Sequence, residues 1–104
     1  MIIRLLESAK EDLRAAWFFY ESQSAGLGDY FLDRLYADIE LLRGLGGIHS
    51  FEFGFHCMPA KRFPFAIFYL VEANIVEVYA VLDCRSHPTV LANRLRASKA
   101  GRDS

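Results

Sequence analysis

The chain has 104 residues, 53% hydrophobic and 24% charged, with a formal net charge of −1 at pH 7. That length supports a single domain that buries roughly 60–70% of its unfolded surface without a disulfide staple, and the composition is that of a globular chain, not a disordered one. The small net charge excludes the broad positive field of a stand-alone nucleic-acid binder, the apolar runs fall short of the ~20 residues of a membrane span, and no charged-then-apolar leader opens the chain, so a soluble cytoplasmic protein is expected.

Ile2 to Leu6 is an apolar run of strand length broken by Arg4. Ser8 and Glu11 have the spacing of a capping box, which predicts the start of a first helix. Its stripe is Ala9, Leu13, Ala16, Trp17 and Tyr20, with the 3.6-residue period of one buried face; Phe18 and Phe19 lie off it. A helix apolar over more than one face needs more than one neighbour. Ser24-Ala25-Gly26-Leu27-Gly28 breaks the chain, and Asp29 suits the N-cap or first turn of a second helix that buries Phe31, Leu35, Ile39 and Leu42 and stops at Gly44-Leu45-Gly46-Gly47. The two helices make an antiparallel hairpin.

From Phe51 the period becomes two: Phe51, Phe53, Phe55 and Cys57 point one way, Glu52, Gly54 and His56 the other. The next strand places Phe63, Phe65, Ile67, Tyr69 and Val71 on one face and Arg62, Pro64, Ala66 and Phe68 on the opposite one, with Pro64 marking a strand start, bulge or edge. Ala73-Asn74 closes a hairpin into a strand alternating Val76, Val78, Ala80, Leu82 with Ile75, Glu77, Tyr79, Val81. Pro88 opens a last helix from Thr89 to about Leu95. The expected fold is α+β, in the order β-α-α-β-β-β-α. A helical hairpin packs on a mainly antiparallel four-stranded sheet, with a domain over residues 1–96 and a flexible tail over 97–104.

The run Lys61-Arg62-Phe63-Pro64-Phe65-Ala66-Ile67-Phe68-Tyr69, the strand after it, and Cys84-Arg85-Ser86-His87-Pro88 with Arg94 beyond resemble the RelE/ParE superfamily of bacterial type II toxins. The earlier motifs stand in the same order: Ala9-x-x-Asp12-Leu13 on a helix, the Gly26-Leu27-Gly28 turn, Arg62-Phe63-Pro64-Phe65 on a strand and a closing Arg85-x-x-Pro88. That order is similar to the ParE-like branch. The resemblance covers residues 2–95 and implies the fold above, a cognate antitoxin as partner and DNA gyrase as target, inhibited by binding and with no cofactor.

The alternative is a RelE-like, ribosome-dependent mRNA endonuclease using Lys61, Arg62, Arg85 and His87; a third reading is a non-toxic module that keeps only antitoxin binding. Similar nucleases carry a strand arginine where this chain has Ala66, and a tyrosine or histidine near Leu91. Phosphoryl transfer needs such groups, and losing one charge-stabilising donor costs about 10²–10³ in rate. Arg62, Arg85 and Arg94 are the candidate target-binding residues. For Arg85 and Arg94, two roles stay open: pairing with a phosphate or an acidic partner, or a salt bridge to a helical carboxylate. His87 has a pKa suited to acid–base work, and it also sits where a turn or cap suffices. Phe18, Phe19, Phe68 and Tyr79 are the candidate antitoxin-binding side chains on the helical hairpin and an open sheet face, with a homodimer as another use of them. Cys57 and Cys84 lack metal or redox spacing, and a zinc site would need Cys84 and His87 to meet His56 or Cys57 across strands, so no metal is expected.

Overall fold

The apolar stripe of the first helix sets the architecture. The computed structural model describes residues 1–101, and its elements are β1 (Ile2–Leu5), α1 (Glu7–Glu21), α2 (Leu27–Glu40), a one-turn α3 (Leu42–Leu45), β2 (Phe51–Glu52), β3 (Phe55–Pro59), β4 (Phe65–Glu72), β5 (Ile75–Asp83) and α4 (Pro88–Ala100). The sheet order is β1-β5-β4-β3-β2, with β1 parallel to β5 and the other pairs antiparallel. Ala9, Leu13, Ala16 and Tyr20 of α1 and Phe31, Leu35 and Ile39 of α2 are buried against Phe65, Ile67 and Tyr69 of β4 and Val76, Val78 and Val81 of β5. Among the described residues no helix is long and apolar enough to cross a membrane.

The Gly26-Leu27-Gly28 turn sets how closely the two helices meet. Gly26 adopts φ +88°, the left-handed region that suits glycine, and a Cβ at Gly28 would come within 2.8 Å of the Trp17 side chain and carbonyl oxygen. The Glu21 carboxylate accepts the Gly26 and Gly28 N–H groups, each at 2.9 Å, filling the start of α2. Asp29 lies in the first turn of α2 as expected, and accepts the Trp17 Nε1–H at 2.8 Å.

The sheet has five strands where four were expected. The run from Phe51 to Cys57 is folded back on itself by a two-residue turn at Phe53 (φ 56°) and Gly54 (φ 85°), the positive-φ pair of a tight hairpin. The period-two pattern cannot reveal that a phenylalanine takes a left-handed conformation, so the predicted common face of Phe51, Phe53, Phe55 and Cys57 does not exist. Phe55 is buried, Phe53 is exposed, and Phe51 stacks on His56.

The second face of the sheet is closed, contrary to the expectation of an open one. β4 and β5 slip register between Phe68 and Tyr69, so that Phe68 pairs with Ala80 and Tyr69 with Val78. The irregularity at Tyr79 reverses the alternation of β5: Val76, Val78 and Val81 face the hairpin, while Tyr79 and Ala80 face away. There they join Phe55, Ala66 and Phe68 beneath Leu95 of α4, with Leu91 buried on the same helix. Phe68 and Tyr79 are 2% and 1% exposed, so neither is part of an open surface. α4 continues to Ala100, through positions assigned to the tail; residues 102–104 of that expected tail lie outside the described residues.

What α4 is fastened to follows from the length of β1. β1 ends at Leu5 opposite Val78, so among the described residues the outer edge of β5 beyond that point has no strand partner. One turn apart on α1, Ser8 and Asp12 take its place. Ser8 Oγ–H donates to the Tyr79 carbonyl at 2.7 Å, and Asp12 Oδ2 accepts the Val81 N–H at 3.0 Å. Ser8 therefore does not cap α1, whose N-cap is Leu6. Arg94 donates from Nη2 to the same Asp12 Oδ2 at 2.7 Å and to the Ser8 carbonyl at 3.2 Å, and from Nη1 to Ser98 Oγ.

Burial pushes the Asp12 carboxyl above the ordinary carboxylate range, against the lowering influence of the Val81 N–H and Arg94. Its own ionisation therefore opposes folding as pH rises through that range, and its value lies in the groups it satisfies. Replacing Arg94 by alanine is expected to cost about 2–3 kcal/mol, because the buried Asp12 carboxylate loses its cation. Asp12→Ala should cost a similar amount and Asp12→Asn less, and the double variant Asp12→Ala/Arg94→Ala should fall short of the sum of the singles. Urea denaturation of the four variants measures this; additive losses, or an unchanged Arg94→Ala midpoint, would contradict it.

Candidate partner-binding surfaces

Tyr20 is the hub at one end of the molecule. Its ring lies 5.1 Å from Phe19, 5.0 Å from Phe31 and 5.0 Å from Phe63, and the charges of Arg85 and Asp83 reach it across the end of the sheet. Tyr30 lies 5.8 Å from Phe63 on the outer side. The loop before β4, which carries Lys61, Arg62 and Phe63, is fixed by two backbone contacts: the Lys61 N–H donates to buried Asp38 at 3.0 Å, and the Cys84 N–H donates to the Pro64 carbonyl at 2.9 Å. The second contact joins that loop to the turn bearing Arg85. Lys61, Arg62 and Arg85 are exposed, and so are Phe19 and Tyr30, at 54% and 45%.

Arg85 is held in place by its neighbour two residues back: Nε and Nη2 donate to the Asp83 carboxylate at 3.0 and 2.7 Å. The hydrogen bond from Arg85 holds the Asp83 carboxyl below its ordinary value. The other sequence candidates lie elsewhere. Arg94 is committed to Asp12, and Nδ1 of His87 accepts the Thr89 N–H at 3.1 Å as the N-cap of α4, with Pro88 at the following position. Phe68 and Tyr79 belong to the second core.

Phe18, 62% exposed, serves a different surface from its neighbour Phe19. Its ring meets Trp17 edge-on at 5.1 Å. Trp17, with Leu13, Leu32 and Tyr36, lines a groove of about 330 Å³ along the outside of the hairpin, flanked by Lys10 and Arg14. Sequence reasoning did not find this groove. The signal was there in the i, i+4 and i+7 spacing of Lys10, Arg14 and Trp17, but a single helix does not tell which face its partner leaves uncovered.

Ala66 and Leu91 do come together. They line an open cleft of about 470 Å³ on the α4 side of the sheet, with Phe68, Cys57 and Cys84 in the same lining and His49 and Glu52 at its polar part. Among the described residues no lysine or arginine lines it. Burial pushes the Cys57 thiol up, which works against a thiolate there. Among the described residues, no three His, Cys, Asp or Glu side chains group so as to hold a metal ion.

A histidine pair that the sequence did not flag closes the edge of the sheet. The fully buried Tyr69 accepts the Gly47 N–H at 3.0 Å, and its hydroxyl is hydrogen-bonded to His49 Nδ1. His56 Nδ1–H donates to the His49 carbonyl at 2.5 Å, with its ring stacked between Phe51 and Tyr69.

The helical hairpin on one face, the sheet order and the closing helix make up a RelE/ParE-like α+β fold. Among solved structures, a chain of the "Chromosomal ParDE TA system from P. aeruginosa" matches it with a TM-score of 0.68 at 16% sequence identity, over 78% of this chain and 92% of that one. No protein-family model matches the sequence, and no curated protein does.

Burial, and secondarily the charge of His56, lower the His49 pKa from its ordinary 6.5. The fold thus favours neutral His49. Its stabilisation is present above about pH 6.5 and is lost as pH falls from there through the folded value. Urea midpoints measured across that window should fall on acidification in the wild type and change less in His49→Gln; equal pH dependence in the two would contradict this. For the exposed pair, Arg85→Ala should shift the folding free energy by less than ~0.5 kcal/mol. It should also return the Asp83 carboxyl toward its ordinary value in an NMR titration, and an unchanged Asp83 titration would show that the pair does not hold in solution.

Proposed function

We propose that this protein is the toxin of a type II toxin–antitoxin pair, that it acts by binding DNA gyrase and not by cutting RNA, and that a cognate antitoxin neutralises it. The observation that carries the non-cleaving reading is the pairing of Ala66 and Leu91 in one cleft. At these two positions the resemblance to the ribonuclease branch calls for a phosphate-binding arginine and an acid–base side chain. Cleavage of a phosphodiester needs cations on the pentavalent phosphate and a proton donor for the leaving oxygen. Among the described residues nothing in this cleft supplies the cations, and His87 uses one ring nitrogen to cap α4.

The antitoxin reading is supported by the groove beside Phe18. An apolar floor with Lys10 and Arg14 along its flank suits the apolar side of an acidic helix, the helix-in-groove mode of recognition. A second copy of the chain on the same groove is the homodimer reading. The endonuclease alternative keeps one observation in its favour, the gathering of Lys61, Arg62 and Arg85 at one end of the sheet, with Tyr20 and Asp83 beside them.

The purified protein should inhibit gyrase supercoiling or stabilise the cleaved gyrase–DNA complex, and should leave mRNA uncut in a translating extract. Phe18→Ala should weaken neutralisation by the antitoxin by roughly tenfold or more, as expected for an aromatic anchor, with little loss of toxicity. Codon-dependent mRNA cleavage lost in His87→Ala or Arg85→Ala would overturn the binding mechanism in favour of the nuclease. Inactivity in both assays would instead favour the non-toxic antitoxin-binding module.

A further inference from the structure

Phe18 and Phe19 are consecutive, and on a helix consecutive side chains diverge by about 100°. They belong to two separate surfaces. The groove beside Phe18 is flanked by Lys10 and Arg14; Phe19 packs on Tyr20, which also packs on Phe63, and the loop of Arg62 and Phe63 is joined to the turn bearing Arg85 by the Cys84–Pro64 backbone bond. We infer that this second surface docks an acidic protein segment bearing a large apolar side chain. That side chain packs against Phe19, Tyr30 and Phe63 while neighbouring carboxylates meet Arg62 and Arg85. The assignment rests on the binding role proposed above and names the chemistry of the target-facing side.

Three features of the site argue for it. Phe19 and Tyr30 are exposed and Phe63 is half-buried, and the rings brace one another: Phe63 packs on Phe31 at 4.9 Å and on Tyr20 at 5.0 Å, and Tyr30 packs on Phe63, so an apolar guest gains contact area at little cost in ordering the host. Arg85 is pre-oriented, because Asp83 holds Nε and Nη2 and leaves the Nη1 edge for a carboxylate, while Arg62 has no ion pair among the described residues. The cations are also few. A nucleic acid carries a phosphate at every nucleotide, against which stand Lys61, Arg62 and an Arg85 already sharing its charge with Asp83, on a molecule of net charge −1. An acidic peptide with one anchoring side chain fits that economy of charge; an extended polyanion does not.

The test uses the full chain and three fluorescent probes: a short glutamate-rich peptide with a central tryptophan, the same peptide with serine in place of tryptophan, and a single-stranded oligonucleotide of equal charge. Anisotropy titrations should rank the tryptophan peptide tightest, with an affinity that falls as salt rises. The Arg62→Gln/Arg85→Gln double variant should lose about tenfold or more in that affinity, and Phe19→Ala a similar factor. Wild-type melting temperatures in all variants would exclude misfolding. The assignment is overturned if the tryptophan peptide does not bind, if the serine peptide or the oligonucleotide binds as tightly, or if the arginine variant binds unchanged. Because the titration contains no gyrase, failure here with supercoiling inhibition intact would remove this surface and leave the toxin reading standing; the reverse result would remove gyrase as target and leave the surface.

Discussion

One carboxylate oxygen joins three parts of this molecule. Asp12 Oδ2 accepts both the Val81 N–H at the unpaired edge of β5 and the Arg94 guanidinium from α4. Without it, a backbone donor near the centre of the sheet would have no acceptor where β1 has already turned into helix, and the last helix would lose its tether to the first. The arrangement is demanding: the carboxylate must lie one turn beyond Ser8, which serves the Tyr79 carbonyl, and both require α1 to leave β1 at a fixed angle. Hence the Ala9-x-x-Asp12-Leu13 spacing. Ala9 and Leu13 seat the helix on the sheet, and Asp12 between them faces the edge of β5.

The closed second face follows from that tether and shapes what is left for partners. With α4 in place, Phe68 and Tyr79 are core, and Ala66 and Leu91 give the neighbouring cleft an apolar lining. Phe51 and Phe53 stay exposed at the β2–β3 hairpin, and the other exposed aromatic side chains lie on α1 and α2. Those divide into a groove on the outside of α1 and α2 and an end where Phe19 and Tyr30 pack around Tyr20 and Phe63, next to the loop that carries Arg62. A domain of this size with two such surfaces is suited to meeting two partners, which fits a protein regulated by one macromolecule and directed at another.

Much of the fold was legible because its hydrophobic periods are clean. The stripe from Ala9 to Tyr20, the Phe31–Leu35–Ile39 face and the start of β4 after Pro64 lie where the patterns put them. What was illegible depended on single residues taking unusual conformations or on long-range partners. Phe53 at positive φ turns one predicted strand into a hairpin, and the irregularity at Tyr79 puts Ala80 on the same face as Tyr79, so strict alternation placed Tyr79 correctly and misplaced Ala80 and Val81. Ser8 and Glu11 satisfy the letter of a capping box, but the Tyr79 carbonyl, 71 positions away, claims the hydroxyl. Residue type and motif singled out Arg62 and Arg85 as target-binding candidates and Phe19 as an antitoxin contact, and all three are exposed. Tyr30 and the Trp17 groove were missed, because their exposure depends on how α1 and α2 pack on each other.

The most direct measurement is amide hydrogen exchange at Val81, read by NMR in the wild type and in Asp12→Ala. If Asp12 closes the edge of β5, the Val81 amide is strongly protected in the wild type although no strand lies on that side. In the variant its protection is then lost selectively, while Val76 and Val78, on the stretch of β5 paired with β1, keep theirs. A Val81 amide that exchanges freely in the wild type, or is equally protected in both proteins, would contradict the account.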